Sequence, residues 1–410
     1  MNRVLITNIK GIVQYNSRGI VKGAAMADLP VFENGWILTE GEHIHSIGHM
    51  DEPLLAPVND VIDASGCYVF PSWCDSHTHI VFAGSREQEF VGRIRGLTYE
   101  EIAKQGGGIL NSAKRLADAS EEELFDSAWN RLESMMRQGT GAVEIKSGYG
   151  LSFESELKML NVIARLKKES PLTIKSTFLG AHAVPAEYKN DRAAYVRMLT
   201  DDLLPVIATN KLADYIDVFC DRGFFTVDET ATILEAGAAY GLRPKIHANE
   251  LDFSGGIQIG VKHNALSVDH LECTGDEEIE VLKNSSTMPT LLPGTAFFLQ
   301  LHYPPARKMI DAGLPVALAS DYNPGSCPSG KMSFVLTLAC LYLKMTPQEA
   351  INAATLNSAY AMGVEKELGS IIPGKRANLF ITAPLPSLEY IPYAFNENHV
   401  RQVIINGKLQ

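Results

Sequence analysis

The chain has 410 residues, a net charge of −12 and an isoelectric point near 5.4. At 46% hydrophobic and 20% charged residues it has the composition of a globular protein, long enough for a barrel with a minor domain and unlike a disordered chain. The acidic field disfavours nucleic acid and anionic membrane surfaces as general partners, and there is no run of eighteen apolar residues to span a bilayer. The apolar stretch near Met1 is too short for a secretory leader, so the cytoplasm is the expected location. Six scattered cysteines, Cys67, Cys74, Cys220, Cys273, Cys327 and Cys340, form no Cys-x-x-Cys pair, the pattern of reduced thiols.

In chain order, Val4–Ile6, Ile12–Tyr15, Gly35–Thr39 and Ile44–Ile47 read as short strands broken by Gly, Asn and Asp. The last forty residues have the same texture, with strands at Ala377–Thr382 and Val400–Ile405 followed by an Asn406-Gly407 turn. The simplest packing joins the two ends, residues 1–66 and 371–410, into one small β-sandwich domain. The middle, 67–370, alternates apolar strands with helical patterns. Its strands are expected at Ser72–Ile80, Ala142–Ser147, Thr173–His182, Tyr215–Cys220, Pro244–Asn249, Ser267–Leu271, Thr287–Leu292 and Pro315–Asp321. Capping boxes are expected at Thr98–Glu101, at Ser120–Glu123 with a stop at Gly139, and at Thr346–Glu349 with Pro347 in the first turn. Eight strands with intervening helices predict a (β/α)8 TIM barrel, whereas a doubly wound sheet would need a strand-flanked Gly-x-Gly-x-x-Gly that is absent.

Polar residues gather at the predicted C-terminal strand ends, where such a barrel places its active site. His77 and His79, two apart on a strand, face the same way. His247, His270 and Asp321 each follow a mostly apolar run, where an unpartnered polar group would be costly. Several imidazoles and a carboxylate converging on one mouth suit a metal ion better than an empty space. Gly106-Gly107-Gly108 is followed by no Lys-Ser/Thr, which argues against a phosphate cradle and for a mobile substrate loop. His263, His302 and His399 read as ordinary histidines, and Phe297-Phe298-Leu299 as core.

The segment Ile62–Gly66 leading into Asp75-Ser76-His77-Thr78-His79, with the later His247, His270 and Asp321 and with Ile372–Leu379, resembles the amidohydrolase superfamily. Within it the chain is similar to the imidazolonepropionase family. That likeness is carried by His77–Arg86, Gln105–Ile109, Glu144–Leu151, Gly180-Ala181-His182, His247–Glu250 and Asp321–Ser326, and it runs from about residue 60 to 380. One departure is Pro71-Ser72-Trp73-Cys74, where superfamily members carry Pro-Gly. The resemblance implies hydrolysis of the cyclic amide bond of 4-imidazolone-5-propanoate to N-formimidoyl-L-glutamate, a step of histidine degradation. His77, His79, His247 and Asp321 are then the ligands of one divalent ion, zinc or iron, that lowers the pKa of water.

The predicted fourth strand ends in Cys220-Asp221, with no lysine to carry the bridging carbamate of binuclear relatives. Lys146, at the end of the second strand, is a poor substitute, and Cys220 is a minor alternative ligand. Glu250 and Asp321 are the candidates for moving the proton, with the choice between them open, and His270 for polarising the carbonyl. The substrate's propanoate calls for a forked cation, and Arg86 is the candidate. By the same resemblance Tyr149 and His182 contact ring and carboxylate, and Asn323, Gly325 and Ser326 form a product-binding loop. A homodimer is expected from size class and resemblance. Another amidohydrolase, such as a cyclic-imide hydrolase or an aminoimidazole deaminase, would keep the ligands but lack the Arg86, Tyr149 and His182 set. A non-catalytic barrel scaffold would have lost the ligands.

Overall fold

A computed structural model describes residues 2–17, 19–52, 57–97, 101 and 107–410. Its strands, numbered in chain order, fall into two sheets. The first takes β1 (Arg3–Val13), β2 (Val31–Glu40), β3 (His43–His49), β4 (Asp60–Asp63) and β5 (Cys67–Pro71) from the N-terminal end. From the C-terminal end it takes β14 (Leu379–Pro384), β15 (Val400–Ile405) and β16 (Lys408–Leu409). Their order is β16-β15-β14-β5-β1-β2-β3, with β4 beside β1, in a curled sheet around an aliphatic core of Ile6, Ile9, Ile12, Ile37, Leu379 and Ile404. The two strands expected at Val4–Ile6 and Ile12–Tyr15 are one long strand. A bulge between Ile6 and Ile9, with Asn8 at φ 56°, absorbs the break that the polar residues suggested. The Asn406-Gly407 turn joins β15 to β16 with both residues at positive φ, as a tight hairpin requires.

The second sheet runs β6 (Trp73–Thr78), β7 (Thr140–Lys146), β8 (Thr173–Ala181), β9 (Tyr215–Cys220), β10 (Arg243–Ala248), β11 (Ser267–His270), β12 (Met288–Leu291) and β13 (Ala317–Leu318). All seven neighbouring pairs are parallel. A parallel bridge between Thr78 and Tyr322 closes the ring, backed by Asp321 N–H donating to His77 O at 3.0 Å and His79 N–H to Tyr322 O at 2.9 Å. This is the expected (β/α)8 barrel. The last strand is shorter than Pro315–Asp321: its ladder covers two residues, and Asp321 turns at φ 54° to join the first strand instead.

The crossover between the sheets is the single residue Ser72, because Cys67–Pro71, assigned to the barrel by the sequence, pairs with β1 and β14. Ser72 fits at this crossover because Gly141 faces it. A Cβ on Gly141 would lie 2.1 Å from Ser72 Oγ. Phe380 of β14 stacks on Phe70 and packs against Trp73, each at 5.0 Å, which fastens the terminal sheet to the barrel.

The helix Glu121–Met136 starts in a Ser120/Glu123 capping box, and Pro347–Asn352 starts in a Thr346/Glu349 box with proline in its first turn. The box expected at Thr98–Glu101 and the first residues of the Gln105–Ile109 motif lie outside the described residues. Phe297-Phe298-Leu299 is surface rather than core, since the helix Pro293–Leu299 buries only its first turn. Phe297 is 44% exposed, and Phe298 stacks on Phe90 at 5.4 Å.

Candidate active site

Alternation on the barrel strands places every second side chain inside. On β6 these are Asp75 and His77, with His79 just beyond. On β7 they are Glu144 and Lys146, on β9 Asp217, on β10 Lys245 and His247, and on β11 Asp269. All are buried. The Nε2 atoms of His77 and His79 are 3.3 Å apart, and those of His79 and His247 are 3.4 Å apart. Asp321 Oδ1 lies 3.6 Å from Nε2 of both His77 and His79. Donors held tetrahedrally about 2.0–2.1 Å from a common centre would be about 3.3–3.4 Å apart, close to the His77–His79 and His79–His247 separations, so these three imidazoles lie within reach of one ion.

The chemistry of the donors agrees with that spacing. Burial, then the neighbouring Lys146 for His77 and the neighbouring His182 for His79, hold both imidazoles well below the ordinary histidine range, leaving neutral nitrogens. Their Nδ1 environments differ. His77 Nδ1 hydrogen-bonds Asp269 Oδ2 at 2.6 Å, and His247 Nδ1 lies 3.0 Å from Asp217 Oδ2 without the alignment of a hydrogen bond, whereas His79 Nδ1 is buried with no hydrogen-bond partner among the described residues.

His270 and Asp321 reach the mouth by a different route. Strict alternation would turn His270 away from the side taken by Asp269. Its left-handed backbone, φ 85° followed by 70° at Leu271, breaks the alternation and turns the imidazole inward. His270 Nδ1 lies 3.7 Å from Glu250 Oε2 and 3.8 Å from Glu272 Oε2. Burial would push this imidazole down, but Glu250 and Glu272 prevail and lift it to about 10. Burial pushes Glu250 up to about 7 against the pull of His270. Asp321 Oδ2 accepts from Thr295 Oγ1 at 2.5 Å and Ser326 Oγ at 3.3 Å, which leaves Oδ1 facing the imidazoles. His77, His270 and Asp321 form a second grouping within reach of one ion.

The remaining predicted residues surround the same mouth. His182 stacks on His79 at 5.3 Å and Tyr149 is edge-on to both rings. Burial, then His247, lowers the His182 pKa to about 3. The Arg86 guanidinium lies against Gly325, where a Cβ would come within 2.2 Å of one of its terminal nitrogens, and it pairs with Glu89 through two bonds of 2.9 and 2.6 Å. Glu89 also accepts the Gly108 N–H at 2.8 Å, which ties the glycine loop to Arg86. Asn323 Oδ1 accepts the N–H groups of Gly325 and Ser326, each at 2.8 Å, so this side chain shapes the loop.

The sequence alone did not reveal the charges beneath the histidine cluster. Lys146 Nζ is 2.7 Å from both Glu144 Oε1 and Asp217 Oδ2 and 3.7 Å from Asp269 Oδ2, so the poor substitute for a carbamate lysine is already engaged by carboxylates. Burial alone would depress this ammonium, but Asp217, Glu144 and Asp269 together raise it above the usual lysine value. Lys245 pairs with Glu144 and donates to Ser76 O at 3.0 Å. A signal existed: Glu144 and Lys146, like Lys245 and His247, are charged or polar residues two apart in otherwise apolar strands.

Comparison with known proteins decides the family. An imidazolonepropionase of Flavobacterium johnsoniae is 56% identical over 407 residues, covering 99% of each chain. The chain belongs to the imidazolonepropionase family. Members from Christiangramia forsetii and Geobacillus thermodenitrificans share 53% identity over 99% of both chains and 46% over 94% of this chain and 92% of theirs. The amidohydrolase family model matches residues 226–409. Among solved structures, a triazine hydrolase variant superposes with a TM-score of 0.74 at 15% identity, covering 100% of this chain and 94% of its own. An adenosine deaminase from Xanthomonas campestris with bound zinc gives 0.72 at 16% identity, covering 99% and 92%. These two share the fold. Like the other imidazolonepropionases, the chain is a hydrolase, and its histidine cluster serves a divalent metal. No helix among the described residues is long and apolar enough to cross a membrane.

Proposed function

We propose that the protein hydrolyses 4-imidazolone-5-propanoate to N-formimidoyl-L-glutamate, with His77, His79, His247 and Asp321 holding one zinc or iron ion. When bound, such an ion lowers the pKa of water toward neutrality and makes it a nucleophile.

The chain's residues supply the rest. Arg86, beside Gly325 on the rim, takes the propanoate through its fork, and Glu89 orients it. Tyr149 and His182 wall the ring against His79, and the loop of Asn323, Gly325 and Ser326 closes the far side. The water oxygen forms a bond to the ring carbonyl carbon, and His270, held cationic between two carboxylates, stabilises the charge that develops on the carbonyl oxygen. The ring C–N bond then breaks. Asp321 and Glu250 carry the proton from the water to the departing nitrogen. Glu250, with its pKa lifted to about 7, exchanges a proton readily near neutral pH. We place the enzyme in the cytoplasm with no nucleic-acid partner, in keeping with the acidic charge and the scattered cysteines, and as a homodimer from its size class and family.

The observation that carries the reading is the convergence of three Nε2 atoms and one carboxylate oxygen beside a rim bearing Arg86. Purified protein analysed for metals should contain about one ion per chain. It should consume imidazolonepropanoate far faster than hydantoin, dihydroorotate or guanine, lose this activity on chelation and regain it with Zn2+. Preference for one of the other substrates would overturn the assignment, and equal inactivity before and after reloading would make the protein a scaffold.

A further inference from the structure

Two of the three ligand imidazoles are backed by carboxylates, and both carboxylates lean on one ammonium. Asp217 contacts His247 Nδ1 through Oδ2, and its Oδ1 accepts the His247 backbone N–H at 3.1 Å, so that residue is held at two points. Asp269 Oδ2 contacts His77 Nδ1 while Oδ1 accepts from Ser267 Oγ at 2.6 Å. Lys146 Nζ sits between them, touching Asp217 at 2.7 Å and Asp269 at 3.7 Å, and is fixed from below by Glu144 at 2.7 Å. Glu144 in turn is fixed by Thr177 Oγ1 at 2.6 Å and by Lys245. The path His247–Asp217–Lys146–Asp269–His77 therefore runs from one ligand to another through a single buried side chain. His79 is outside it and rests on the His182 ring.

We infer that Lys146 is a positioning residue for the metal centre: it fixes Asp217 and Asp269, and through them sets the direction in which Nε2 of His247 and of His77 point. This rests on the metal-site reading above. The opposite expectation is also physical. A positive charge this close repels a cation, so if Lys146 acted only through its charge, its removal would tighten metal binding. Positioning and repulsion therefore predict opposite signs for one measurement. Carboxylates and other partners behind a ligating histidine typically contribute about 10–100-fold in metal affinity.

The test uses the full-length chain stripped of metal, with Zn2+ as the probe against a chromophoric chelator. Lys146→Met should raise the Kd for Zn2+ by about 10–100-fold. The double change Glu144→Gln with Lys146→Met removes one charge of each sign, leaves the net charge of the cluster unchanged and should show the same loss. The Co2+-loaded variants should show altered visible absorption bands relative to the loaded wild type, a change in ligand geometry that stability loss alone would not produce. A wild-type measurement requires no variant to fold: in the metal-free protein, histidine-labelled NMR spectra should already show His77 and His247 as Nδ1–H tautomers, with His79 not so fixed. Unchanged or tighter Zn2+ binding by a folded variant, or equally mixed tautomers at His77 and His247, would overturn the inference. Wild-type protein that binds no metal would instead overturn the proposed function itself.

Discussion

The terminal sheet and the barrel interior are both shielded from water, and they are filled in opposite ways. The sheet closes over Ile6, Ile9, Ile12, Ile37, Leu379 and Ile404, aliphatic side chains whose burial needs no partner. The barrel interior holds Glu144, Lys146, Asp217, Lys245 and Asp269, none more than 1% exposed, alongside four histidines and Asp321. Burying ions is unfavourable unless each is paired, and a hydrophobic filling of equal volume would often be at least as stable. Charges in the barrel are therefore better understood by what they hold: a set of imidazoles pointing one way. The apolar core is built for cohesion, and the charged one for direction.

Four substitutions would break or sharpen that contrast. The largest effect belongs to His270→Ala, which should lower turnover by about 10^2–10^4-fold while the metal content stays near one per chain. If the variant sheds its ion, His270 is a ligand of the second grouping with His77 and Asp321 and not a stabiliser of the carbonyl oxygen. Next, Lys245→Met leaves Glu144 with one buried cation fewer and should destabilise the fold by about 3–5 kcal/mol, read from the denaturation midpoint. A neutral or stabilising result would mean that the network tolerates apolar replacement.

Arg86→Ala should raise KM by about 10–100-fold with little change in kcat, since a hydrogen bond to a charged group contributes about 1.5–3 kcal/mol. A fall in kcat at constant KM would instead put Arg86 in the chemistry. The smallest effect is expected in the terminal sheet. Ile9→Val, in a fully buried aliphatic site, should cost about 0.5–1.5 kcal/mol of stability and leave kinetics untouched. A change in kcat from that substitution would show that the two cores are coupled.

The sequence by itself determined much of this protein, wherever the determining signal is local. Alternation of apolar strands with capped helices was enough for the barrel, and Ser120–Glu123 and Thr346–Glu349 were legible because a capping box is a contact between residues three apart. His77 and His79 were legible as a pair because strand geometry alone turns both the same way. Other features were decided only by the tertiary structure, because they depend on distances between strands or on backbone that leaves the regular pattern. Cys67–Pro71 went to the terminal sheet because β14, three hundred residues later, offered it an edge. Phe297 looked like core until its helix ended after seven residues. His270 faces the other three histidines only because its φ is positive. Lys146 joins Asp217 and Asp269 because barrel closure brings three strands around one ammonium, an arrangement that no spacing along the chain encodes.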